Sequence, residues 1–191
     1  MNRREALQRA GLVLGYAVSA PVLAGIMKGC KAAPELTYKP DFFTADQARI
    51  VSEVAEIIIP KTDTPGAKDA GVPGFIDKLV KECYKKEDQD RFLAGLQAFD
   101  DEAKKAYGDS FIDLDAAKQQ EYVKKIHDAA LNARKAGAVK DRPFILMMKE
   151  LTIVGFFTSE PGATKVLQYE PVPGAYRGCV PLAEVGKTWA T

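Results

Sequence analysis

Thr44-Ala45-Asp46-Gln47-Ala48-Arg49-Ile50-Val51-Ser52-Glu53-Val54-Ala55-Glu56-Ile57-Ile58-Ile59-Pro60 is the run that decides the fold class. Thr44 and Gln47 have capping-box spacing: the threonine hydroxyl can accept from the Gln47 amide while the Gln47 side chain reaches back. Ala48, Val51, Val54, Ala55 and Ile58 then recur at helical spacing, so one face enters a core, and Pro60 ends the helix. The same period returns downstream. Pro73 opens a second helix carrying Phe75, Ile76, Leu79, Val80 and Cys83 inward. A third runs from a cap at about Asp88 through Phe92, Leu96, Phe99 and Ala103 to Gly108. A fourth follows Asp113, with Ala116, Ala117, Gln120, Val123, Ile126 and Ala130 as its buried stripe and Lys118, Glu121, Lys124 and Lys125 outside. A fifth, residues 143–158, is apolar nearly all round, which makes it central or covered by a partner. The chain therefore reads as all-α, one helical domain of about five helices with an irregular Pro/Gly-rich C-terminal tail.

The connections carry their own signals. In the loop 61–72, Asp63 suits an Asx-type turn, Pro65-Gly66 the centre of a type II turn, and Gly71 a position of positive φ. The tail over 169–182 is rich in Pro and Gly yet includes Tyr169, Tyr176, Val180 and Leu182, apolar residues that need somewhere to pack. There is no internal repeat.

Upstream, Arg3 and Arg4 stand just before Leu7 and an uncharged stretch of eighteen residues, 10–27. Paired arginines ahead of a modest apolar segment read as a twin-arginine (Tat) export signal, the route that carries folded proteins. Eighteen residues would also just span a hydrocarbon core of about 30 Å, but Gly11, Gly15, Ser19, Pro21 and Gly25 suit a processed signal better than a permanent anchor. Met27-Lys28-Gly29-Cys30 is similar to a lipobox, in which Cys30 is acylated; Lys28 departs from that pattern, and the small-residue site at Val22-Leu23-Ala24 competes. The expected organisation is a signal over 1–30, a tether over 31–43 and a helical domain over 44–191.

Three cysteines in an exported chain leave one thiol with a separate fate. Acylation of Cys30 would supply it, leaving Cys83 and Cys179 to form a disulfide, worth about 4–5 kcal/mol in the chain-entropy model, or to remain buried thiols. Arg3, Arg4, Arg9 and Lys28 against Glu5 give the first thirty residues +3, so the chain's net +1 leaves −2 for the remainder. That near-neutral body has no basic stripe for nucleic acid and no acidic block.

Catalytic signatures are missing from the sequence. It contains no Gly-x-Gly-x-x-Gly, phosphate loop, Cys-x-x-Cys-His or paired Cys-x-x-Cys. The single histidine, His127, reads as a helix-surface residue. Glu53 with Glu56, Asp100 to Glu102, and Asp113 with Asp115 read as solvated faces or caps. Glu150 is the exception to follow: buried, it would need a partner, whereas with Lys149 it would form the exposed strip of the fifth helix.

Taken together, Ile57-Ile58-Ile59-Pro60, Asp63-Thr64-Pro65-Gly66-Ala67, Ala70-Gly71-Val72-Pro73-Gly74-Phe75-Ile76-Asp77 and Tyr169-x-Pro171-x-Pro173-Gly174 resemble the gluconate 2-dehydrogenase subunit 3 family. The resemblance covers essentially the whole chain, and the twin-arginine leader is typical of the family. It implies a small helical accessory subunit, not catalytic alone and binding no cofactor directly. The partner it implies is a periplasmic or membrane-associated GMC-type flavoprotein that holds FAD and oxidises sugars, sugar acids or polyols. A cytochrome c subunit takes the electrons where present, and the Tat translocase exports the folded assembly. The fifth helix and the tail, with Tyr169, Pro171, Pro173, Tyr176 and Val180, are then the candidate docking residues. Two readings stand beside it: a free-standing exported lipoprotein with a scaffold role, and an enzyme using Glu150 or His127.

Overall fold

Helix α1 (Ala45–Ile58) begins with the expected capping box: the Gln47 N–H donates to Thr44 Oγ1 at 3.3 Å and the Thr44 N–H to Gln47 Oε1 at 3.0 Å. It buries Ala48, Ile50, Val51, Val54 and Ala55. Our computed structural model describes residues 35–138, 141–172, 174–175 and 177–190, all within a unit that begins at Glu35. Arg3, Arg4, Leu7, Cys30, Pro173 and Tyr176 lie outside the described residues.

Helix α2 (Val72–Cys83) follows Gly71, whose φ of +71° favours a residue without a Cβ. Its inward stripe is Val72, Ile76 and Val80. Cys83 is exposed, against expectation, because the stripe ends at Val80 and the last turn leaves the core. The carbonyls of that end do not go unserved: the Gln89 side-chain amide donates to Val80 O at 3.0 Å and Lys81 O at 2.9 Å.

Helix α3 (Lys86–Tyr107) is capped by Lys85, not Asp88. Asp88 instead sits in the first turn, where its charge complements the helix dipole. The helix ends, as read, at Gly108, with φ +85°. A 3₁₀ turn (Phe111–Asp113) then leads to α4 (Ala116–Lys135), whose cap is Asp115, accepting from the Lys118 N–H at 2.9 Å. The buried stripe of α4 is rotated from the expected one. Gln119, Tyr122, Val123 and Ala130 point inward, while Ala116, Ala117 and Gln120 are exposed. Hydrogen bonding explains the rotation: the Tyr122 hydroxyl donates to Phe99 O at 2.6 Å and the Gln119 amide to Phe111 O at 2.9 Å.

Helix α5 (Phe144–Phe157) is central, packing on α1, α2, α3 and α4. It buries Phe144, Ile145, Leu146, Met148, Leu151, Thr152, Gly155 and Phe156. An aromatic cluster joins it to its neighbours: Phe144 lies 5.2 Å from Phe92, Phe92 stacks on Phe43 at 5.6 Å, and Phe99 contacts Phe111 and Tyr122 at 5.0 and 4.8 Å. A π-helical turn (Gly162–Val166) and a single-turn α6 (Leu182–Val185) follow. The described residues contain no strand, only a parallel bridge between Gln168 and Trp189. No helix among them is long and apolar enough to cross a membrane.

The described part of the expected tether packs against the helices. Phe43 is buried, and Leu36, Tyr38 and Phe42 are half-buried against the core. Its backbone is held by Asp77 of α2, whose buried carboxylate accepts from the N–H groups of Asp41 at 2.8 Å, Phe42 at 3.3 Å and Phe43 at 2.9 Å.

Candidate docking surface

The loop between α1 and α2 is fixed by carboxylates that sequence reading had placed on a solvated face. Glu56 accepts the Lys61 N–H at 3.0 Å through Oε1 and the Lys68 N–H at 2.8 Å through Oε2, and Glu53 pairs with the Lys68 ammonium. A Cβ on Gly66 would run into the Glu56 carboxylate and stand 2.7 Å from the Lys61 nitrogen, so glycine serves a close approach here. Its φ is not positive, and the expected type II turn at Pro65-Gly66 does not form. Asp100 departs from expectation in the same way. It is buried and accepts from the Ser110 hydroxyl at 2.7 Å and the Phe111 N–H at 2.8 Å, while pairing with Lys104.

Beyond that loop, α1, α4 and α5 enclose an open groove of about 460 Å³. Its floor is Ile57, Ile58, Pro60, Val123 and Ile145, and its rim carries Gln120, Lys124, His127 and Lys149. The Lys149 ammonium donates to His127 Nε2 at 3.1 Å, which leaves the ring proton on Nδ1 to reach Asp128 Oδ1 at 3.2 Å. Ile145 and Lys149 are one helical repeat apart, and the next positions along that side of α5 are Ile153 and Phe157. Both are partly exposed, at 39% and 37%, with Val154 beside them at 44%. An apolar strip thus leads out of the groove along α5.

Glu150 lies on the outer side of α5, exposed and paired with Arg142, so it belongs to the exposed strip and needs no buried partner. His127 is half-buried on the groove rim. Among the described residues no group of three His, Cys, Asp or Glu side chains converges as a metal-ligand set. Cys83 and Cys179 are both free and exposed in this structure.

The tail runs back on itself. The Gln168 N–H donates to Thr188 O at 3.0 Å, the Ala190 N–H to Gln168 O at 2.9 Å, and the Gln168 side chain to Val185 O at 3.0 Å. The fold-back orders the tail without burying it. Tyr169, Val172, Leu182 and Trp189 remain 50–82% exposed, Pro171 is exposed and Val180 half-buried. The described apolar residues of the tail therefore find little packing within the chain, and the sequence had given no reason to single out Trp189.

Residues 45–174 match the family model described as Gluconate 2-dehydrogenase subunit 3, from the first residue of α1 to the middle of the tail. No curated protein and no solved structure matches the chain.

Proposed function

The chain belongs to the gluconate 2-dehydrogenase subunit 3 family, whose members are subunits of dehydrogenase complexes, and from that premise we propose that it is the non-catalytic small subunit of a periplasmic GMC-type FAD-dependent dehydrogenase. In this reading the flavoprotein holds FAD and oxidises a sugar, sugar acid or polyol, and a cytochrome c subunit accepts the electrons. The small subunit stabilises the flavoprotein and lends it the twin-arginine signal of Arg3 and Arg4. Cys30, if acylated, tethers the assembly to a membrane. The family match over the helical body is the observation that carries this reading. Two features of the surface support it: the outer strip of α5 and the tail side chains Tyr169, Val172, Leu182 and Trp189, apolar groups of the kind that anchor interfaces.

The test is to look for a GMC-type flavoprotein without a signal of its own in the neighbouring reading frames and to co-express the chain with it. Wild type should co-purify with a yellow, FAD-containing partner, and Arg3→Lys with Arg4→Lys should leave that flavoprotein in the cytoplasm. A flavoprotein that still reaches the periplasm would defeat the escort role. Mass spectrometry of the mature N-terminus reports whether Cys30 carries lipid.

A further inference from the structure

The groove between α1, α4 and α5 combines an apolar floor with a basic rim. The two lysines on its rim, Lys124 and Lys149, make no ion pair among the described residues. No carboxylate lines it. Most acids of the three helices are turned to other work: Asp46 pairs with Arg49, Glu53 and Glu56 hold the 61–72 loop, Asp128 faces His127 and Glu150 pairs with Arg142, while Glu121, exposed on α4, makes no ion pair among the described residues. The result is an apolar floor of Ile57, Ile58, Pro60, Val123 and Ile145 beneath two ammonium groups that make no ion pair, one of them held 3.1 Å from the His127 ring. Such a site favours an apolar side chain flanked by carboxylates, since the floor takes the apolar group and the rim supplies charge complementarity.

We propose that this groove receives an acidic, apolar-anchored segment of the flavoprotein partner, with Lys124 and Lys149 meeting its carboxylates and the strip of Ile153 and Phe157 extending the contact along α5. The proposal rests on the accessory-subunit reading and names the surface and chemistry of its interface. A rim of this kind acts on association rate and salt dependence, and reversing both charges places like charges across the interface.

The experiment measures the affinity of full-length chain for the co-expressed flavoprotein by calorimetry at low and raised salt. The variants are Lys124→Glu alone, Lys124→Glu with Lys149→Glu, and Lys124→Arg with Lys149→Arg. Circular dichroism checks each fold. Lys124 is exposed, so its single variant remains informative if the double variant unfolds. The expected result is binding weakened by about tenfold or more in the double reversal and by a smaller factor in Lys124→Glu, with the salt dependence reduced and the arginine pair retaining wild-type affinity. Unchanged affinity and salt slope in folded reversal variants, beside tight wild-type binding, would overturn the groove proposal and leave the accessory role standing. Wild type that binds no flavoprotein overturns both. A wild-type dimer in sedimentation that Lys124→Glu dissociates would assign the groove to a second copy and also overturn it.

Discussion

At Asp77 one buried carboxylate supplies the acceptors that an extended segment ordinarily finds in a sheet. Three consecutive N–H groups, from Asp41, Phe42 and Phe43, converge on it. Hydrogen bonds to a charged acceptor are the strong kind, and removing the acceptor leaves buried donors unmet. Asp77→Ala should therefore cost about 2 to 4 kcal/mol, read as a lower urea midpoint with an unchanged slope. Asp100 makes a prediction of a different kind. Burial pushes its carboxyl up, but the Lys104 ammonium, the Ser110 hydroxyl and the Phe111 N–H outweigh burial and hold it below the ordinary carboxylate range. A carboxyl lowered in the folded state adds stability that is present above its unfolded value of about 3.9 and is lost as pH falls through the folded value. Asp100→Asn should thus flatten the acid limb of a stability–pH curve. A limb as steep as wild type would assign acid sensitivity to other carboxylates.

Between elements, three helical glycines separate propensity from packing. Alanine is favoured over glycine in a helix interior by about 1 kcal/mol, so each replacement starts with the same small gain. At Gly74 of α2 the new methyl would meet the Tyr38 ring at an ordinary 3.5 Å, and Gly74→Ala should be neutral or mildly stabilising. At Gly155 of α5 it would lie 2.7 Å from the edge of the Phe75 ring, which is half-buried and can yield. At Gly95 of α3 it would lie 2.7 Å from Phe144 Cβ, an atom tied to the backbone of α5. Overpacking there should cost about 1 to 3 kcal/mol and win over propensity, so melting temperatures should fall in the order Gly74→Ala, Gly155→Ala, Gly95→Ala. The helices themselves were legible because caps and apolar periods are local: the Thr44 box, Gly108 and the stripes of α1 and α3 needed no tertiary knowledge. The rotation of α4 was not, because Tyr122 and Gln119 look polar until Phe99 O and Phe111 O are seen to receive them. The groove was illegible for a related reason: periodicity says which face of a helix is apolar, not where three faces leave a gap.

For the unit that begins at Glu35, the segment 35–43 is part of the folded body. Its buried role was invisible in sequence, because Asp77 lies 34 to 36 residues from the amides it holds and a polar Pro-containing run ahead of a capped helix looks like spacer. A chain starting at Glu35 retains the contact; one starting at Thr44 loses it together with Phe43, which stacks on Phe92. Burial of a phenylalanine is worth about 1.5 to 3 kcal/mol, so with the lost hydrogen bonds the shorter chain should forfeit a large share of a domain stability of about 5 to 15 kcal/mol. Melting of the two chains checks this, but a simple loss would not identify the cause. The double-mutant cycle does: in the chain starting at Glu35, Asp77→Ala removes three bonds, whereas in the chain starting at Thr44 those bonds are already gone and the carboxylate faces the water that replaces the segment. The substitution should therefore be markedly less destabilising in the shorter chain. An equal effect in both would mean that Asp77 stabilises α2 by some other route, and that the segment 35–43 is held by its apolar side chains.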